Sequence, residues 1–248
     1  MKKKLLLAIP IIIILIMILI ILLQKKYMVL TYHDFTSGSP ENGMQKNIDD
    51  FEKEMRYLYK HNYKTLTLKD VECFYDKKCK LPRKSVLITM DDGWKSEYKL
   101  ALPILKKYNL NAVIFYIGSN YDGNNTNYIN IDDLIDIENN YPNIEVASHT
   151  YNKHYENAYK ESISDLDADF KDMKKILDTK YFAYPYGKHS DNYIKVLKDD
   201  NYKLAFTFGP NKEHRKFSIK DNRYEIPRVN LSTTYPFYKY ILRLILPF

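Results

Sequence analysis

The sequence predicts an α/β fold, a distorted (β/α) barrel of about seven parallel strands, with an N-terminal transmembrane helix. Three observations predict it. Residues 5–23 form an uninterrupted apolar stretch, and from residue 28 onward short β-type runs alternate with runs of helical period. The reactive residue types then fall at the ends of the β-type runs, where parallel barrels carry their sites. Seven or eight strand–helix units within roughly 220 residues suit a barrel with right-handed crossovers better than an open sheet.

The apolar stretch is about 19 residues long, enough to span a bilayer. Lys2, Lys3 and Lys4 precede it, and Lys25 and Lys26 follow. Three lysines and the α-amine against two lysines predict an inside N-terminus and an exported remainder. No small-x-small site stands near Leu22-Leu23-Gln24-Lys25, so residues 1–27 read as an uncleaved signal anchor and 28–248 as one domain. Membrane lipid is thus an expected partner, and the expected location is the extracytoplasmic face of the cell membrane. Five lysines behind the net charge of +7 flank the apolar stretch, which leaves about +2 for the rest. That balance argues against a nucleic-acid footprint. Cys73 and Cys79 are the only cysteines, and outside the membrane either a short disulfide or two free thiols fits their spacing.

The elements follow in order. Residues 28–32 read as a strand, and Asn47 caps a helix with Phe51, Met55, Leu58 and Tyr59 on one face. Strands are expected at 65–68, 85–90 and 112–117, with a helix over 97–108 between the last two. Helix 131–140, strand 145–148 and helix 162–177 come next; Ile163, Leu166, Phe170, Met173 and Leu177 keep register on the last. Strand 181–184, helix 192–197 and strands 204–208 and 225–229 close the series, and 122–127 is one exposed polar loop.

Asp91-Asp92-Gly93 ends the third of these strands, and His149 ends the fifth, with His154 five residues on. Histidines five apart do not share a helix face, so they must converge from a strand end and a loop. One carboxylate and two imidazoles suit a divalent metal with an open position, and a second carboxylate suits a general base for water. His33, Asp34 and Pro185-Tyr186-Gly187 also lie at strand ends.

Thr89-Met-Asp-Asp-Gly93 and His149-Thr-x-x-x-His154 resemble the first two motifs of the polysaccharide deacetylases, the NodB-homology family also called carbohydrate esterase family 4. The five-residue histidine spacing resembles the branch that deacetylates poly-β-1,6-N-acetylglucosamine. So do Leu30-Thr-Tyr-His-Asp-Phe35, Leu66-Thr-Leu68, Ala183-Tyr-Pro-Tyr-Gly187 and Tyr224-Glu-Ile-Pro-Arg228. The resemblance covers about residues 29–231 and implies Asp91 as general base and Asp92, His149 and His154 as ligands of a divalent metal. Zinc is the expected ion, with cobalt, nickel or manganese as substitutes. It further implies that Pro185 and Tyr186 line the site, the Tyr186 backbone helping to hold the oxyanion. Met90 departs from the usual phenylalanine of the first motif. The arginine that normally opens the third motif is missing upstream of Pro185, and Arg228 is the substitute. The acid histidine of the fifth motif has no counterpart, since His214 sits in the charged run 211–216. His33 and Trp94 are further candidates for contact with sugar, while His61 and His189 read as solvated.

The implied activity is hydrolysis of N-acetyl groups on an N-acetylglucosamine polymer. Peptidoglycan and the N-acetylglucosamine linking a wall polymer are alternative substrates, and a silent carbohydrate-binding barrel is the alternative of another class. On the topology, residues from Tyr27 onward are expected outside the cell with the anchor retained. Protease added to intact cells should then digest the domain; protection until lysis would reverse the orientation.

Overall fold

The computed structural model describes residues 10, 13–17, 19, 26–208, 215–231 and 235–246. The expected span 5–23 lies largely outside these residues, as does His214. No helix among the described residues is long and apolar enough to cross a membrane.

Strand β1 (Met28–Tyr32) leads through a two-stranded flap, β2 (Phe35–Thr36) with β3 (Lys46–Asn47), into α1 (Ile48–Lys60), β4 (Lys64–Thr65) and α2 (Leu68–Tyr75). Then come β5 (Ser85–Asp92), a π-helical turn Glu97–Ala101 running into α3 (Leu102–Lys107), β6 (Ala112–Tyr116), α4 (Ile131–Asn140) and β7 (Ile144–Ser148). The chain ends with α5 (Ile163–Lys174), β8 (Tyr181–Ala183), α6 (Asp191–Asp199), β9 (Leu204–Thr207), β10 (Ile226–Pro227), β11 (Val229–Asn230) and α7 (Phe237–Ile245). The large sheet is parallel throughout and runs β10-β9-β8-β7-β6-β5-β1-β11, with β4 beside the start of β5. Its two outermost strands are halves of one segment, 226–230. Pro227 pairs with Thr207 on one side and Val229 with Leu30 on the other, so the sheet closes on itself through Arg228.

Alternation along each strand sorts the side chains into two layers. Val29, Leu87, Val113, Phe115, Ala183, Phe206 and Ile226 fill the barrel. Leu30, Ile88, Met90 and Ile114 face outward onto Phe51, Met55 and Leu58 of α1 and Leu102 and Leu105 of α3. The same parity carries upward: Asp91 follows Leu87 and Thr89, and Arg228 follows Ile226, so both point inward at the top of the barrel.

Several local expectations change. Strand 65–68 shrinks to Lys64–Thr65, because Thr67 caps α2 in a capping box with Asp70. Tyr59 is 57% exposed, and α5 stops at Lys174 with Ile163 exposed and Leu177 beyond its end. Helix α7 lies past the last strand expected from the sequence. Cys73 and Cys79 form a disulfide between α2 and the turn after it.

Beneath the flap, Lys46 donates to Glu54 Oε1 at 2.6 Å and Tyr32 donates to Oε2 at 2.8 Å, with Lys46 and Glu54 only 3% and 1% exposed. Removing one partner of such a pair leaves a buried charge uncompensated. Lys46→Met should therefore lower unfolding stability by about 3–5 kcal/mol in urea titration, whereas Tyr32→Phe should cost about 1 kcal/mol. Equal losses from both would show that the ion pair contributes nothing special.

Candidate active site

The C-terminal ends of the strands converge on one cavity of about 760 Å³. His33 follows β1, Asp91 and Asp92 end β5, His149 follows β7, and Tyr186 follows β8, and all of them line it together with Trp94 and His154. Asp34 does not; it ties the flap down by accepting from Ser96 Oγ at 2.6 Å and Gln45 Nε2 at 2.8 Å. Pro185 is buried and is not among the lining residues.

Asp91 is 1% exposed and receives both terminal nitrogens of Arg228, at 2.6 and 2.8 Å. The guanidinium carbon lies 4.1 Å from the centroid of the Phe208 ring, so the fork is held on one face by an aromatic and at its tip by a carboxylate. Burial pushes the Asp91 carboxyl up, but Arg228, then His149 and His33, outweigh it and leave it below the ordinary value. Asp91 is thus an ionised, oriented carboxylate in the buried wall of the cavity.

The next residue turns the other way. Asp92 has φ +81 and Gly93 φ +76, and a Cβ on Gly93 would come 2.5 Å from the Tyr116 ring. This left-handed step points the Asp92 carboxylate into the cavity. There its Oδ1 stands 3.1 Å from His154 Nε2 and 3.5 Å from His149 Nε2, and Oδ2 accepts from the Trp94 indole at 3.0 Å. Thr150, between the histidines, also has positive φ at +75 and bends the chain so that His154 returns to the rim. Left-handed backbone at non-glycine residues costs about 1–3 kcal/mol and persists where the surroundings over-determine it.

The three donor atoms of Asp92, His149 and His154 lie within 4.8 Å of one another. His149 Nδ1 is 2.8 Å from the Ala183 carbonyl, which assigns the proton to Nδ1 and leaves Nε2 with its lone pair. Burial pulls His149 down to about 4, so it is neutral at physiological pH. Its Nε2 faces that of His154 at 3.2 Å, an arrangement that a shared cation beside a carboxylate satisfies. The donor set fits a divalent metal.

Tyr186 sits at φ 54, 55% exposed, its ring stacked on His154 with centroids 5.3 Å apart. Gly187 then needs its own φ of +66, since a Cβ there would meet the Phe208 backbone nitrogen at 2.4 Å. His33 Nε2 lies 3.9 Å from Asp91 Oδ2, and burial lowers its pKa. Trp94, expected to meet sugar, donates to the Asp92 carboxylate and stacks on Tyr128 at 4.5 Å between centroids. Of the two histidines read as solvated, His189 Nε2 lies 3.3 Å from Glu225 Oε1. Tyr128, Phe208, Asn230, Tyr235, Met44 and Ile117 complete the lining and carry no sequence signal of their own. Ile117 and Phe208 share one positional sign, each being the first residue after its strand, β6 and β9.

A closed parallel barrel presenting an ionised carboxylate beside a three-donor metal set defines a hydrolase site. The family model of the polysaccharide deacetylases matches residues 78–205, and the chain belongs to that family. It is 29% identical over 212 residues to the poly-β-1,6-N-acetyl-D-glucosamine N-deacetylase of Staphylococcus aureus strain MRSA252, covering 80% of this chain and 71% of that one. It is 28% identical over 213 residues to YxkH of Bacillus subtilis strain 168, covering 84% and 72%. Among solved structures, the Streptococcus pyogenes deacetylase PplD superposes with TM-score 0.79 at 23% identity, over 90% of this chain and 99% of that one. IcaB from Ammonifex degensii superposes with TM-score 0.75 at 22% identity, over 90% and 98%.

Because Arg228 depresses the Asp91 pKa, its loss has a sign. Without it the Asp91 carboxyl ionises only at higher pH, so Arg228→Ala should move the acidic limb of the pH–rate profile upward, by about 1–3 units for a close opposite charge. Metal content should be unchanged. An acidic limb that stays in place would make Arg228 a purely structural residue.

Proposed function

We propose that this chain is a zinc-dependent N-deacetylase of poly-β-1,6-N-acetylglucosamine, anchored by residues 5–23 at the extracytoplasmic face of the cell membrane. The observation that carries the chemistry is the bidentate Arg228–Asp91 pair beside the Asp92, His149 and His154 donors. The polymer is suggested by the Staphylococcus relative and by the five-residue histidine spacing. The apolar stretch with its flanking lysines supports the anchor.

Asp92, His149 and His154 would hold the ion. When bound, zinc supplies Lewis-acid polarisation of the acetyl carbonyl and lowers the pKa of water. Asp91 accepts the proton of the attacking water on its carboxylate, which Arg228 keeps ionised and fixed in direction. The Tyr186 backbone N–H is the donor assigned to the developing oxyanion. Trp94 keeps the Asp92 carboxylate from rotating, while His33 and the Tyr186 ring form the walls that meet the sugar. The carbon–nitrogen bond breaks to give acetate and a free amine, which turns a neutral polymer cationic and adhesive toward anionic surfaces.

Acetate release from β-1,6-linked N-acetylglucosamine oligomers tests this directly. Release should stop with chelator and return with zinc or cobalt, and peptidoglycan fragments should be poorer substrates. Asp91→Asn should lose about 10²–10⁴-fold in turnover while still binding metal. Replacing His149 and His154 together should abolish stoichiometric metal binding. Acetate absent from every substrate with metal bound would leave a sugar-binding barrel in place of an enzyme.

A further inference from the structure

Helix α7 is apolar on two faces. Tyr240 and Leu244 are buried against the barrel, with Tyr240 edge-on to Tyr57 of α1. On the opposite side Tyr238, Leu242 and Ile245 are 61%, 47% and 57% exposed, at the i, i+4, i+7 spacing that makes one continuous stripe. The only charged residues within the helix are Lys239 and Arg243, both cationic. A nine-residue helix of this kind is too short to span a bilayer and suits the interface between headgroups and acyl chains.

Its place in the fold brings it beside the root of the N-terminal stretch. The Leu244 carbonyl accepts from buried Lys216 Nζ at 2.9 Å, and the next residue, Phe217, pairs with Tyr27 through backbone bonds of 2.9 and 2.8 Å. Lys26 therefore leaves the barrel next to the C-terminal end of α7. Burial, with the nearby charges of Lys26 and Arg243 adding to it, pulls Lys216 down to about 8. No acidic residue lies within α7 or its last turn to offset it. The described part of the apolar stretch, Ile13 to Met17 and Leu19, is itself exposed and does not cover the stripe.

We infer that the exposed stripe of α7 seats the barrel on the membrane, Tyr238, Leu242 and Ile245 entering the interface while Lys239, Arg243 and Lys26 meet anionic headgroups. The helix starts two residues after Tyr235, on the rim of the cavity, and runs down the flank to the end where β1 begins. A bilayer under α7 thus holds the barrel on its side, with the cavity opening along the membrane surface. This rests on the anchor reading for the nearness of the bilayer, and the two fail differently.

The test uses the full chain reconstituted in vesicles of phosphatidylcholine and phosphatidylglycerol. With Cys73 and Cys79 bonded to each other, Leu242→Cys supplies a single thiol for an environment-sensitive fluorophore, and Ile135→Cys, exposed on α4, is the control. Lipid-borne nitroxide should quench the probe at 242 about threefold or more above that at 135, and the difference should shrink without phosphatidylglycerol. Equal quenching at both sites, or a 242–242 crosslink showing that a second copy covers the stripe, would overturn the inference. Alkaline carbonate extraction reads the anchor separately: a chain that is extracted yet quenched at 242 keeps the seat and loses the anchor. A chain retained yet unquenched does the reverse. Tyr238→Ser with Leu242→Ser and Ile245→Ser should abolish the shielding of the helix in hydrogen exchange while leaving activity on short oligomers unchanged.

Discussion

The salt bridge between Arg228 and Asp91 joins the seam of the barrel to its chemistry. Arg228 stands between β10 and β11, the two short pairings that bring the ends of the sheet together, and it is fully buried. A guanidinium there is tolerable only because a carboxylate takes both of its terminal nitrogens and the Phe208 ring covers its face. Closure of the sheet and ionisation of Asp91 are therefore one event. The carboxylate that would be costly to bury alone is the partner that makes the closing residue affordable. The Thr31–Thr89 hydroxyl contact one layer below continues the polar interior of the upper barrel.

Adjacent aspartates do different work because β geometry sends successive side chains to opposite faces. Asp91 keeps its strand parity and points inward to Arg228. Asp92, left in regular strand geometry, would point out toward the helices; its left-handed φ redirects it to the cavity. The same device recurs at Thr150 and Tyr186, so three of the segments that build the site carry strained backbone. Neighbours hold each of them. Gly93 and Gly187 leave room for Tyr116 and for the Phe208 backbone, and the Ala183 carbonyl fixes the ring of His149. Polar groups at the barrel top are thus arranged before any ligand arrives, which lowers the reorganisation needed during reaction.

Much of the architecture was legible in the chain. Alternating strand and helix periods predicted a parallel barrel, and Asp91, Asp92, His149 and His154 stood out as residue types at strand ends. Boundaries were less legible where local hydrogen bonding competes with pattern. Thr67 can extend a strand or cap a helix, and only its reciprocal bond with Asp70 decides between them. Helix α7 escaped notice because it is apolar on both faces, and a one-sided stripe is the usual helical sign. Tyr128 reaches the cavity from a loop that has no period to read.

The sequence by itself determined the alternation of strands and helices over 28–229 and the reactive residue types at the strand ends, because these follow from local spacing along the chain. The tertiary structure decided which groups meet. Arg228 and Asp91 are 137 residues apart, and the tautomer of His149 depends on a carbonyl 34 residues away. Those pairings arise only when the sheet closes and brings the strand ends onto one face, and no spacing within a strand encodes the register of its partner across the barrel.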